Sequence, residues 1–278
     1  MFRSPRHRDE YPPPDEWLIA APRGRPDRWA HRRGEPRVWA LLWSCYLLAA
    51  CILALFTPAS RWSFDTQQVR ASCTLLLALI HLGVFVAWPL LRLSQLPPRI
   101  PSRAAAIDVL IVALPAVAIL APMGFLTKWS PSLVGALTLS MLGWTALAGA
   151  MVALGMRAHG TLARAAWMAL CVALVAVGPL IGLIAAGAAT GAGATPSPGL
   201  WRASMLASPV GAPFALTGFP APRAPSPDQL AWRTTLAPSI AAAALWLVAI
   251  AIDLARPSFP RPGPRGESAG ARMGAASR

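Results

Sequence analysis

Hydrophobic residues in this chain come in long runs, and short clusters of arginine separate the runs. Arg37 and Arg61 enclose 23 uncharged residues, Arg70 and Arg92 enclose 21, and Arg103 and Lys128 enclose 24, of which only Asp108 is charged. Lys128 to Arg157 encloses 28, Arg164 to Arg202 encloses 37 whose first 25 or so are apolar, and Arg233 to Asp253 encloses 19. A helix crosses the hydrocarbon core with about 20 residues, so each run is long enough to span. None alternates like a barrel strand, and a backbone in lipid must satisfy its own hydrogen bonds, which leaves helices. The pattern predicts an all-α polytopic integral membrane protein with six transmembrane helices, at 38–59, 71–92, 104–126, 131–155, 164–188 and 235–254.

The stretch between the fifth and sixth spans, 189–234, breaks this rhythm. It opens on small residues (ATGAGATPSPG) and continues LWRASMLASPVGAPFALTGFP, apolar but interrupted by Pro209, Gly211, Pro213, Gly218 and Pro220. It is too broken for a span and too apolar for a solvated loop. Short re-entrant or interfacial helices are expected there, with irregular backbone covered by protein; a linker with scattered apolar residues is the plainer alternative. Residues 1–37 form a Pro/Arg-rich arm, expected to be partly disordered and then interfacial, and residues 255–278 a disordered tail.

Composition confirms the solvent. Of 278 residues, 55% are hydrophobic and only 13% charged, about half the charge of a soluble domain. The net charge of +14 is the excess of 24 arginines and the single lysine Lys128 over 11 acidic residues, and the arginine bias fits a GC-rich genome. Such a basic chain invites a nucleic-acid reading, but the arginines lie beside the apolar runs and no compact domain carries them. With the N-terminus inside, nineteen basic residues fall on the cytoplasmic side and six outside. The positive-inside rule accounts for that placement without nucleic acid and puts both termini in the cytoplasm. The apolar runs begin only after 37 polar, proline-rich and mixed-charge residues, so the first span reads as an uncleaved signal anchor.

Candidate chemistry is sparse. With one lysine, preceded by Leu126-Thr127, no phosphate-binding G-x-x-x-x-G-K-[ST] loop exists. No H-E-x-x-H or C-x-x-C motif occurs, and Cys45, Cys51, Cys73 and Cys171 read as small apolar residues of the spans. No catalytic residue, cofactor site or metal site is expected. His81 is the one histidine in mid-span; an intramembrane histidine is a candidate proton relay or haem ligand, but no second group lies at its depth, and interhelical hydrogen bonding is the favoured role. Asp108 lies about one turn into the third span, with Arg92 and Arg103 as candidate partners. Gly178, Gly182 and Ala186 form a small-residue ridge on the fifth span, and Ala146, Gly149, Ala150 and Ala153 a second on the fourth, permitting close helix approach. Pro115, Pro122 and Pro179 are expected to kink or loosen their helices.

The order of parts resembles the permease subunit of a type-2 ATP-binding-cassette (ABC) exporter. The likeness lies in an interfacial arm, two spans, a cytoplasmic loop, three closely connected spans, a broken outer segment and a last span. Local sequence is similar too: Gly155-Met156-Arg157-Ala158-His159-Gly160-Thr161-Leu162-Ala163-Arg164 between spans four and five, and Met205-Leu206-Ala207-Ser208-Pro209 followed by Phe214-Ala215-Leu216 in the outer segment. The likeness covers most of residues 27–257. It implies a bacterial inner-membrane exporter in which two permeases, identical or related, form the path in the lipid bilayer. A separate cytoplasmic P-loop ATPase would carry the ATP. It implies an ATPase-coupling loop at Leu93–Arg103, with Leu93, Gln95, Arg99 and Arg103 as contacts, and an outer gate segment with Trp201, Ser208, Pro209 and Phe214. Pro97, Pro98 and Pro101 depart from the helix expected of such a loop. Two alternatives compete: a non-transporting membrane scaffold or sensor, and a membrane redox subunit using His81.

Overall fold

The computed structural model describes residues 36–56, 65–95, 97–98, 100–191, 198–218 and 225–255. The arm before residue 36 and the tail after 255 lie outside the described residues, as does Arg99; the side chain of Ala186 does also. Every regular element among the described residues is helical. Among the described residues, six helices are long and apolar enough to cross a membrane. They are α1 (Pro36–Phe56), α2 (Thr66–Leu93), α3 (Pro101–Thr127), α4 (Pro131–Gly155), α5 (Thr161–Gly191) and, last in the chain, α8 (Gln229–Ala255). Two short helices, α6 (Pro198–Leu206) and α7 (Gly211–Thr217), lie between α5 and α8.

The fourth span has its expected bounds, and most of the others run further than the charge-free runs. Helix α2 starts five residues before 71 and includes Arg70; α3 starts at Pro101 and includes Arg103; α8 starts at Gln229 and includes Arg233. A charge marks where hydrocarbon ends, and a helix continues past it when the side chain finds a partner or water. Arg70 does the former, donating from Nε to the Thr127 carbonyl at 2.8 Å where α3 ends. The first helix is described from Pro36 to Phe56, and the expected end at 59 lies outside the described residues.

Helix α4 is the centre of the bundle, packed on α3 and α8. Its small residues let neighbours come close. A side chain at Gly143 would meet Ser239 and Pro238 of α8, and one at Gly149 would meet Trp88, Val109 and Trp246. Trp246 donates from Nε1 to the Ala146 carbonyl at 2.9 Å across that face. The outer helices turn apolar residues outward: Leu41, Leu48 and Leu55 of α1 are 65%, 63% and 62% exposed, and Leu183 and Ile184 of α5 are 68% and 69% exposed. Water would not tolerate such a surface; lipid does.

Helix α2 contains a turn wider than an α-helix at Gly83–Ala87, where the Trp88 N–H reaches the Gly83 carbonyl. Pro89 follows directly and has no N–H to offer, so the wide turn re-registers the helix around it. Helices α3, α5 and α8 stay continuous through Pro115 and Pro122, Pro179 and Pro238 respectively. At Gly83 the ring of Tyr46 from α1 lies where a side chain would project, and the Tyr46 hydroxyl donates to the Leu79 carbonyl at 2.6 Å.

Candidate functional site at the arginine-rich end

One end of the bundle collects the start of α1, the end of α2, the start of α3, the α4–α5 turn and the end of α8. Trp39 stacks on Trp88 with ring centroids 6.4 Å apart, which seats α1 there. Among the described residues, two ion pairs organise this end. Asp108 is fully buried on α3 and takes both prongs of the Arg92 guanidinium: Nε to Oδ2 at 2.5 Å and Nη2 to Oδ1 at 2.5 Å. Trp88 Nε1 donates to the same carboxylate at 3.4 Å, and Arg92 Nη1 donates to Gln95 Oε1 at 3.1 Å. Of the two candidate partners, Arg92 is the one used. A bidentate, charge-assisted pair of this kind is strong and directional.

The second pair was not foreseen. Arg157, in the α4–α5 turn, bonds Asp253 of α8 from Nη2 at 2.6 Å and from Nε at 3.1 Å. Its remaining donors go to the Ala249 carbonyl at 2.9 Å and to the Ala153 carbonyl. Ser102, at the start of α3, closes the network by donating to Asp253 from its backbone N–H at 3.2 Å and from its hydroxyl. Thus α2 is tied to α3, and α3 to both α4 and α8, at the same end. The signal available in the sequence was that both acids sit within a turn or two of a span end where arginines are concentrated.

The described connector residues Ser94, Gln95, Pro97, Pro98 and Ile100 lie between these pairs in the chain. Of the residues expected to contact an ATPase, Leu93 is buried in the last turn of α2, against Gly155, and Gln95 is engaged by Arg92. Arg103 is exposed on the first turn of α3, alongside exposed Ser94, Pro97 and Ile100, and Arg99 lies outside the described residues. Pro101 opens α3 at a helix position that needs no N–H. A cleft of about 370 Å³ lies beneath the connector, lined by Pro97, Pro98 and Pro101 on one side and by Met156–Gly160 and Arg164 on the other.

At the opposite end, α6 and α7 form a short hairpin set into the bundle. The expected ridge on α5 does allow close approach, though to this hairpin and not to another span. A side chain at Gly178 would strike the Ser204 carbonyl and Ser208, and one at Gly182 would press on Trp201 and Ser204. Ser208, fully buried, donates to the Val175 carbonyl at 3.0 Å. That carbonyl lies four residues before Pro179, which has no N–H to give it, so the proline creates an acceptor and the hairpin supplies its donor. Pro209 is buried behind Ser208, while Trp201 and Phe214 are half-buried. Thr217 of α7 accepts from Thr74 of α2 at 3.3 Å, and Gly218, at φ 65°, ends α7 in the left-handed region. Each hydroxyl has a single proton, so when Thr74 donates to Thr217 it gives up the Arg70 carbonyl of its own helix, 2.9 Å away, while Thr217 donates to the Pro213 carbonyl.

Arg202 of α6 clasps Asp228 at 2.7 and 3.0 Å, and Asp228 caps α8 through the Ala231 N–H at 2.9 Å. The Arg202 guanidinium, with that N–H, holds the Asp228 carboxyl below its ordinary value of 3.8. A depressed carboxylate adds stability that is complete above its unfolded pKa and lost as pH falls through the folded one. Asp228→Asn should therefore lower the melting temperature slightly at neutral pH, with the difference from wild type closing in acid. A difference that persisted unchanged in acid would mean the pair contributes nothing.

His81 is fully enclosed, and among the described residues it does not bridge helices. Its Nδ1 lies 2.8 Å from the Leu77 carbonyl of its own helix, and Nε2 has no partner among the described residues. A buried ring satisfies one nitrogen most cheaply on the carbonyl one turn back, which corrects the interhelical expectation. No group of three or more His, Cys, Asp or Glu gathers among the described residues. Comparison with protein-family models, with curated proteins and with solved structures finds no match.

Proposed function

We propose that this chain is the permease subunit of an ABC-type exporter in a bacterial inner membrane. It pairs with itself or a related permease to form the path, and a separate P-loop ATPase drives it from the arginine-rich, cytoplasmic face. ATP is bound and hydrolysed on that partner. The observation that carries the proposal is the anchoring of the α2–α3 connector. Its two flanks are joined by the Arg92–Asp108 pair, and α3 is joined onward to α4 and α8 through Ser102, Asp253 and Arg157. A push on the exposed Pro97, Ile100 and Arg103 is therefore delivered to four spans together. The α6–α7 hairpin, tied to α5 and α2, supports an outer gate at the far end.

The test is to express the chain with a P-loop ATPase encoded beside it and purify in detergent. The two should co-purify, ATP hydrolysis should exceed that of the ATPase alone, and Arg103→Glu should weaken the association at least several-fold. If no such ATPase ever accompanies the wild-type protein, the proposal fails.

A further inference from the structure

In the middle of the bundle, α2 and α4 run side by side in the same direction. Three contacts set their register. Phe85 and Trp144 pack edge to face with ring centroids 5.7 Å apart, Trp88 abuts Gly149, and Leu93 abuts Gly155. One turn back from the first contact, four residues on each helix, stand His81 on α2 and Ser140 on α4. The two are therefore level, on the faces that carry Phe85 and Trp144. Thr74, two turns before His81 on that face of α2, reaches Thr217 of α7, while Gly83 on the opposite side faces Tyr46 of α1. His81 thus looks towards α4 and α7, away from α1.

Three buried polar atoms on these faces have no partner among the described residues: His81 Nε2, Ser140 Oγ and Trp144 Nε1. Their chemistry is complementary. His81 Nδ1 lies 2.8 Å from the Leu77 carbonyl, which can only accept, so Nδ1 carries the proton and Nε2 presents a bare lone pair. The Trp144 indole N–H can only donate. Ser140 can do both, and unlike Thr138 two residues earlier it does not give its proton to the carbonyl one turn back. Left alone, each of the three carries the desolvation cost of an unmade hydrogen bond.

Size and charge choose the occupant. The surrounding stretch is closed: Ile80, Val84 and Phe85 are 0% exposed and Met141 1%, so no large molecule enters. An ion would lack a counter-charge. Arg92 and Asp108 are joined to each other nearer the end of the bundle, and no group of three or more His, Cys, Asp or Glu gathers among the described residues. A buried water makes about three hydrogen bonds, and the three atoms offer an acceptor, a donor and a hydroxyl that serves as either. We propose that a single buried water sits between α2 and α4, donating to His81 Nε2, accepting from Trp144 Nε1 and bonded to Ser140 Oγ. Through it His81 is linked to the neighbouring span. The site is independent of the transport reading, since it asks nothing of the ATPase.

The experiment is solid-state NMR on the full-length chain in lipid bilayers, labelled with nitrogen-15 histidine, with magnetisation transferred from water protons to the imidazole nitrogens. His7, His31 and His159 are changed to Gln so that His81 alone reports. Its spectrum should show one protonated nitrogen and one bare nitrogen, and the bare one should receive magnetisation from water. Trp144→Phe, which keeps a ring against Phe85 and removes the N–H, should strongly reduce that transfer. Ser140→Ala should do the same, and the two together should abolish it. Thr145→Val is the control, because Thr145 stands about 100° round α4 from Trp144; it should leave the transfer unchanged. Melting temperatures separate a lost water from a lost fold, and the measurement with native Ser140 and Trp144 decides if either variant is unstable. Absence of transfer in that protein overturns the proposal, as does transfer that survives both substitutions. A ring protonated on both nitrogens would reveal a charged site and overturns it equally.

Discussion

Asp108→Ala should destabilise the protein by about 3–5 kcal/mol, because it leaves the Arg92 guanidinium buried without its counter-charge. The pair is almost wholly enclosed, with side-chain exposures of 8% and 0%, so water cannot replace the lost carboxylate. Removing both charges is a different experiment. Arg92→Leu with Asp108→Leu takes away the ions and their desolvation cost together, and such replacements are often neutral or better. Thermal unfolding in detergent should therefore rank wild type and the double variant close together, with Asp108→Ala far below. If the single and double variants fall equally, the pair's value lies in shape and not in charge. The double variant also probes the proposed mechanism: a folded protein that still binds the ATPase but no longer raises its hydrolysis would assign the pair to coupling.

The second large effect is expected at Gly178. Adding a β-carbon there brings it against the Ser204 carbonyl and Ser208, and backbone atoms cannot swing aside as a long side chain can. Overpacking of this sort costs about 1–3 kcal/mol, and Gly178→Val should lie at the upper end or expel the hairpin altogether. Ser208→Ala should fall at the low end of the same range, about 1 kcal/mol, through the unpaired Val175 carbonyl. The readout that separates expulsion from mild strain is thiol labelling at a cysteine placed at Ala215, which is 3% exposed in the wild-type protein. Gly178→Val should make it reactive, and a Ser208→Ala background only weakly so. An unreactive cysteine in Gly178→Val, with an unchanged melting temperature, would show that α5 and α6 can move apart without loss.

The six spans were legible because lipid imposes a one-dimensional code in which long uncharged runs can only be helices. Helix ends were not, since Arg70 and its like stay helical once their heads find carbonyls or water. The partner of Asp108 could be narrowed only with helix geometry in hand. Arg103 stands five residues away, about 140° round α3 at 100° per residue, so it faces elsewhere, while Arg92 comes from the neighbouring helix. The Arg157–Asp253–Ser102 network joins residues 96 and 151 positions apart, and no local spacing encodes that. The hairpin between α5 and α8 was readable as an apolar segment broken by prolines and glycines. Its seat on Gly178 and Gly182 was not, because a small-residue ridge states that something comes close without naming it.

The pairing of Val175 with Ser208 has a consequence for how the protein is made. The chain is synthesised from its N-terminus, so α5 enters the membrane with a carbonyl that its own helix cannot satisfy. The hydroxyl that completes it lies 33 residues later. Until α6 emerges, the fifth span is an unfinished part holding a reserved place. The hairpin is thus a closing step in assembly, and its arrival reports that everything upstream of it has already been inserted.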